Sequence, residues 1–113
     1  MKFSTKQQGP VTVITLQGNL MGGPDVTELN SMVHDSIRQG QKKIAIDLGK
    51  VEFMNSSGLS MLIGCASALK KAGGKMLIAG ASRKVLDLIK ITKLTPILET
   101  YPSVNDAVEH LRQ

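Results

Sequence analysis

Apolar and polar positions change rhythm several times along this chain, and each change predicts an element. Val11-Thr12-Val13-Ile14-Thr15-Leu16-Gln17 carries β-branched residues in partial alternation and reads as a strand. Lys2 to Gln8 is polar with a few strand formers. Gly9-Pro10 is a turn signal, so an N-terminal hairpin with Lys2 to Gln8 at its edge is expected. Gly18-Asn19-Leu20-Met21-Gly22-Gly23 reads as loop. From Pro24 the period lengthens: Val26, Leu29, Met32 or Val33, and Ile37 recur at helical spacing. Pro24 suits the first turn, Asp25 and Glu28 suit the positive end of the dipole, and Gly40 ends the run. Lys43-Ile44-Ala45-Ile46-Asp47-Leu48 is nearly all apolar inside its ends, as expected of a strand covered on both faces.

A polar knot follows, Asn55-Ser56-Ser57-Gly58, where strand hands over to helix. The helix is expected from Leu59 to Ala72, with Leu59, Leu62, Ile63, Ala66 and Leu69 on its apolar side and Gly73-Gly74 as its stop. Lys75-Met76-Leu77-Ile78-Ala79 reads as another buried strand. Ser82 caps a short helix through Val85, Leu86, Leu88 and Ile89. Thr95-Pro96 breaks the chain, Ile97-Leu98-Glu99-Thr100 reads as a brief last strand, and Ser103 with Asp106 marks a final helix start, with Ala107, Val108 and Leu111 inward. The order β-β-α-β-α-β-α-β-α implies right-handed crossovers and a mostly parallel sheet, made mixed by the hairpin.

The length, 113 residues, suits one domain with one core, expected over residues 1–113. With aromatics at 3% and no tryptophan, the core must be aliphatic, and a base-stacking platform for single-stranded nucleic acid is unsupported. The formal charge is +5, and seven basic residues (Lys70, Lys71, Lys75, Arg83, Lys84, Lys90 and Lys93) meet only Asp87 in their span. Such a region can serve an acidic partner, but its spread-out spacing reads first as solvated faces of two helices. Cys65, the sole cysteine, sits among apolar helix residues and reads as packed rather than reactive. The start of the chain lacks an apolar signal region, and the run Leu59 to Leu69 is too short to span a bilayer. A soluble cytoplasmic protein without a direct nucleic-acid or membrane role is expected.

The knot concentrates the candidate chemistry. A serine there can cap the helix, act as a nucleophile or carry a phosphate, since a helix N-terminus favours negative charge. For hydrolysis, Ser56 has Gly58 two residues after it but Met54 two before, so the Gly-x-Ser-x-Gly elbow fails. Asp87 or Asp106 with His110 would have to complete a triad, and no glycine-rich oxyanion loop with the usual histidine accompanies them. His34 and His110 share no metal-ligand spacing, Gly73-Gly74-Lys75 lacks the rest of a phosphate-binding loop, and no Gly-x-Gly-x-x-Gly occurs; no metal or cofactor is expected.

Ile44-Ala45-Ile46-Asp47-Leu48 followed by Val51-Glu52-Phe53-Met54-Asn55-Ser56-Ser57-Gly58-Leu59 resembles the core signature of STAS domains, most of all the bacterial anti-sigma factor antagonists. Leu16-Gln17-Gly18-Asn19-Leu20, Gly73-Gly74-Lys75-Met76 and Ile91-Thr92-Lys93-Leu94 extend the resemblance along the chain, though only the knot is specific. The resemblance implies a mixed sheet packed by about four helices and a non-catalytic protein. It would bind an anti-sigma factor with serine kinase activity, freeing a sigma factor, until phosphorylation stops it and a serine phosphatase restores it. Carried over by position, the phosphorylated residue is Ser56, and the contact residues expected around it are Met21, Gly22, Gly23, Met54, Asn55, Ser57 and Gly58. The sequence departs from the family at Asn55, where aspartate is usual; the amide keeps the size and loses the charge. Alternatives are a STAS scaffold or ligand-sensing subunit of a larger complex and, more remotely, a small serine hydrolase.

Overall fold

A computed structural model describes residues 2–21, 23–93 and 98–112. In chain order the elements are β1 (Lys2–Gln8), β2 (Val11–Leu20), α1 (Pro24–Arg38), β3 (Lys43–Met54), α2 (Ser56–Lys71), β4 (Lys75–Ala79), α3 (Arg83–Ile91), β5 (Thr100–Tyr101) and α4 (Val104–Arg112). The sheet runs β1-β2-β3-β4-β5, with β1 antiparallel to β2 and every later pair parallel. This is the mixed, mostly parallel α/β sheet expected from the sequence.

Because neighbouring parallel strands are consecutive, right-handed crossovers place their three helices on one face. Leu29 and Val33 of α1, Leu59 and Leu62 of α2, and Val85 and Ile89 of α3 bury against Ile14, Leu16, Ile44, Ile46 and Ile78. The opposite face receives α4: Ala107, Val108 and Leu111 meet Val11, Val13, Ala45, Leu77 and Ala79. Successive strand residues point to opposite faces, so a strand covered on both sides must be apolar throughout. That accounts for the unbroken apolar run in β3.

Four boundaries differ from those expected of the sequence. β2 continues through Gly18, Asn19 and Leu20, and β3 runs on from Leu48 to Met54. The register shifts between Thr15 and Gln17 and again between Gly18 and Asn19, each time with an extra residue on β3. These bulges break the alternation of two, so the buried residues Leu48, Val51 and Met54 fall three apart. Asp47 steadies the first bulge: one carboxylate oxygen accepts the Gly49 N–H at 2.9 Å, and the other accepts the Thr15 hydroxyl at 3.4 Å. Helix α2 begins at Ser56, three residues before Leu59, and β5 is Thr100–Tyr101 rather than a strand from Ile97, a residue outside those described.

The buried side of α2 is Gly58, Leu59, Met61, Leu62, Cys65 and Leu69, with Ile63 only partly covered. The expected stripe is thus turned by one position, because α2 packs against α1 as well as the sheet. Burial pushes the Cys65 thiol up to about 11, so it stays protonated and inert. The caps predicted for the two short helices are present. Ser82 Oγ accepts the Val85 N–H at 3.3 Å, and Ser103 Oγ accepts the Asp106 N–H at 3.1 Å.

Candidate functional site

The C-terminal ends of β2 and β3, paired through Leu20 and Met54, deliver the chain into α1 and α2 at the same end of the sheet. Here the knot takes its shape from Asn55, not from a serine. Asn55 is the N-cap of α2, in extended backbone at φ −101°, and its Oδ1 accepts the Gly58 N–H at 2.9 Å. Asparagine caps as well as serine does, because its short side chain carries an acceptor to the third helical N–H. The amide nitrogen of the same side chain reaches the other way. Asn55 Nδ2 donates to the Met21 carbonyl at 3.1 Å, clipping the β2–α1 loop to the knot. The backbone adds a parallel tie, with Asn55 N–H donating to the Leu20 carbonyl at 3.3 Å.

An aspartate at this position could accept from Gly58 but could not donate to Met21. Asn55→Ala should therefore cost about 0.5–2 kcal/mol, the usual range for a lost cap. Asn55→Asp should cost less, while loosening the loop. Urea denaturation of both variants, with amide exchange followed at Met21, checks this; equal stability of wild type and Asn55→Ala would remove Asn55 as the cap.

With Asn55 holding the cap, Ser56 and Ser57 fill the first two helical positions, and both are exposed. The serine cap that the sequence allows at this helix start is thereby corrected. The first turn of α2 carries no acidic residue, so nothing there opposes an added negative charge at the positive end of the helix. Among the described residues no hydrogen bond joins Ser56 to His110, Asp87 or Asp106. His110 stacks instead on Tyr101, ring centroids 5.2 Å apart, in the helix that covers the other face.

The other candidate contacts divide by burial. Met21 is 47% exposed and Gly23 is exposed, whereas Met54 is 5% exposed and belongs to the core. Gly58 is buried because the backbone of β2 lies against it: a Cβ there would come within 2.3 Å of the Leu20 carbonyl oxygen. Gly22 lies outside the described residues. Of these candidates Met21, Gly23, Ser56 and Ser57 are exposed and Asn55 is half-buried, and Asn55 ties Met21 to the knot. Phe53, 48% exposed, is a residue that sequence alone does not single out; it reads as core by type, and only the bulge before it turns it outward.

The knot thus presents an exposed serine pair at a helix start capped by Asn55. The chain belongs to the STAS domain family, whose model matches residues 2–107. It is 29% identical over 84 residues to the anti-sigma-B factor antagonist of Staphylococcus aureus, 74% of each chain. An anti-sigma factor antagonist from Mycobacterium paratuberculosis superposes with a TM-score of 0.85 at 22% identity, over 99% of this chain and 94% of the other. The Bacillus protein SpoIIAA matches in its unphosphorylated form (TM-score 0.76, 19% identity, 98% of each chain). Its phosphorylated form matches at the same TM-score, with 21% identity over 98% of this chain and all of that one.

Proposed function

We propose that this protein is an anti-sigma factor antagonist: unphosphorylated, it binds an anti-sigma factor with serine kinase activity and frees a sigma factor for transcription. Phosphorylation of Ser56 ends the interaction, and a serine phosphatase restores it, in the cytoplasm. The observation that carries this reading is the division of labour in the knot. Asn55 holds the helix cap, which leaves the exposed Ser56 hydroxyl without a structural duty. The names of the relatives support it.

A phosphate would add about −1.5 to −2 charges at pH 7. At the start of α2 the dipole and unsatisfied N–H groups offset that charge, so the domain stays folded. A partner surface packed over Met21, Asn55, Ser56 and Ser57 would have to desolvate the phosphate or move away. Binding is lost while the fold remains. The test is incubation with the cognate kinase and ATP, phosphosite mapping, and binding of variants. Ser56→Ala should bind constitutively and Ser56→Asp weakly. Phosphate on Ser57 alone, or no phosphate together with equal binding by both variants, would overturn Ser56 as the switch.

A further inference from the structure

The end of the sheet remote from the knot is basic. Met54, beside the knot, closes β3, and Lys43 opens it at the far end. There Lys42 and Lys43 follow the turn after α1, Lys70 and Lys71 lie in the last turn of α2, and Lys75 opens β4. Among the described residues only Lys75 of this group has an acidic partner, Glu99 at 3.2 Å. A cleft of about 290 Å³ opens between the two turns, lined by Pro10, Gly40, Lys42, Lys43, Gly73, Gly74 and Lys75. Its side chains include three ammonium groups and no carboxylate.

Backbone packing sets the shape of this cleft. The Lys75 N–H donates to the Lys42 carbonyl at 2.9 Å, and Gly74 lies so near that carbonyl that a Cβ would come within 2.3 Å of its oxygen. The turn after α2 is thus locked to the segment entering β3, which brings their lysines together. Lys43 and Lys75 are register partners on adjacent parallel strands. Ile44 and Met76, one residue on, face the helices α1 to α3, so both lysines lean to the opposite face. Two like charges held side by side repel, and an anion between them relieves that repulsion. The carbonyl end of α2, which would oppose an anion, is closed. The Gly73 N–H donates to the Lys70 carbonyl at 3.1 Å, and the Gly74 N–H to the Leu69 carbonyl at 2.7 Å.

We infer that the cleft between the α1–β3 and α2–β4 turns binds a small, free phosphate compound with several negative charges, of which pyrophosphate is the simplest. Lysine binds phosphate as a point charge with three donors, and Lys42, Lys43 and Lys75 supply three such groups. Gly40 and Gly73 have open space where a side chain would stand, so the ligand can come close to the backbone. The cleft lies at the low end of the range for small-molecule sites, about 300–1,000 Å³, and no aromatic ring lines it to stack on a base. Gly73-Gly74-Lys75 alone is not a phosphate-binding loop; a second turn, with Gly40, Lys42 and Lys43, supplies what it lacks. The site is at the opposite end of β3 from Ser56 and does not depend on phosphorylation there.

The experiment titrates the intact chain with pyrophosphate, with phosphatidylglycerol vesicles and with single-stranded DNA, followed by amide NMR. Pyrophosphate should shift Gly40, Lys42, Lys43, Gly73 and Lys75 and leave Ser56 and Ser57 in place. Lys42→Gln/Lys43→Gln should weaken its binding about tenfold, and added salt should weaken it further. Lys84→Gln/Lys90→Gln removes the same charge away from the cleft and should leave the affinity unchanged. Circular dichroism of both double variants confirms the fold. An equal loss in the two variants would overturn the inference, since net charge alone would then explain the binding. So would no shift at these residues, or a response to vesicles or DNA without one to pyrophosphate.

Discussion

Ile46→Ala should destabilise the protein by about 2–5 kcal/mol, the range for deleting the bulk of a large buried aliphatic side chain. Ile46 is 0% exposed on the central strand, and its register partners are Ile14 on β2 and Ile78 on β4. Three isoleucines thus form one row beneath the helices α1, α2 and α3. Removing the middle one leaves a cavity walled on two sides by hydrogen-bonded strands, which cannot close in without breaking the ladder. The cost should therefore lie toward the upper part of the range. Urea unfolding monitored by circular dichroism measures it. A loss under about half a kcal/mol would show that the row is not packed as described, since that is the scale of an ordinary surface change.

Gly58→Ala should also destabilise, although alanine is the better helix former by about 0.8–1.0 kcal/mol. The new Cβ would lie 2.3 Å from the Leu20 carbonyl oxygen, 2.9 Å from Leu20 Cγ and 3.0 Å from the Leu20 carbonyl carbon. Two of those atoms are backbone in a paired strand, so relief requires α2 to move off β2. Overpacking of this kind costs about 1–3 kcal/mol, occasionally more, which outweighs the propensity gain. The same movement would pull on the Gly58 N–H bond to Asn55 and on the clip to Met21. Gly64→Ala, in the same helix with nothing within 4 Å of the added carbon, is the internal control and should stabilise. Thermal denaturation of the pair separates sterics from propensity; if both variants gained stability, the close approach of α2 to β2 would be wrong.

Much of this architecture is legible in the amino-acid order. The apolar runs of β3 and β4 betray strands buried on two faces, and Ser82 and Ser103 announce helix starts because their hydroxyls sit three residues before the N–H they accept. The tail of β3 is hidden for a definite reason. Bulges space its inward residues by three, which imitates neither a strand nor a full helical stripe. At the knot the chemistry is legible but its assignment is not. Asn55, Ser56 and Ser57 are all competent caps, and local sequence cannot say which adopts the extended backbone that capping needs. The Gly58 contact with Leu20 decides it, by fixing where the helix can begin, and that contact spans residues distant in sequence. The partial exposure of Ile63 is equally hidden, because the apolar stripe alone does not say that α2 leans on α1 as well as on the sheet.

The two faces of the sheet are closed at different moments of synthesis. The helices on the first face arrive between the strands, so β2, β3 and β4 are each followed at once by a helix that covers that face. The second face, with Val11, Val13, Ala45, Leu77 and Ala79, is covered by α4 among the described residues. Ala79 and Arg112 are 33 residues apart. At about 5–20 residues per second, a translating ribosome needs about 2–7 s to cross that interval. For those seconds the nascent chain has four strands ready to pair, with one side lacking its cover, long enough for a holdase to find it. Slowing translation between β4 and α4 lengthens this window, and speeding it shortens it, without altering a single contact of the finished protein.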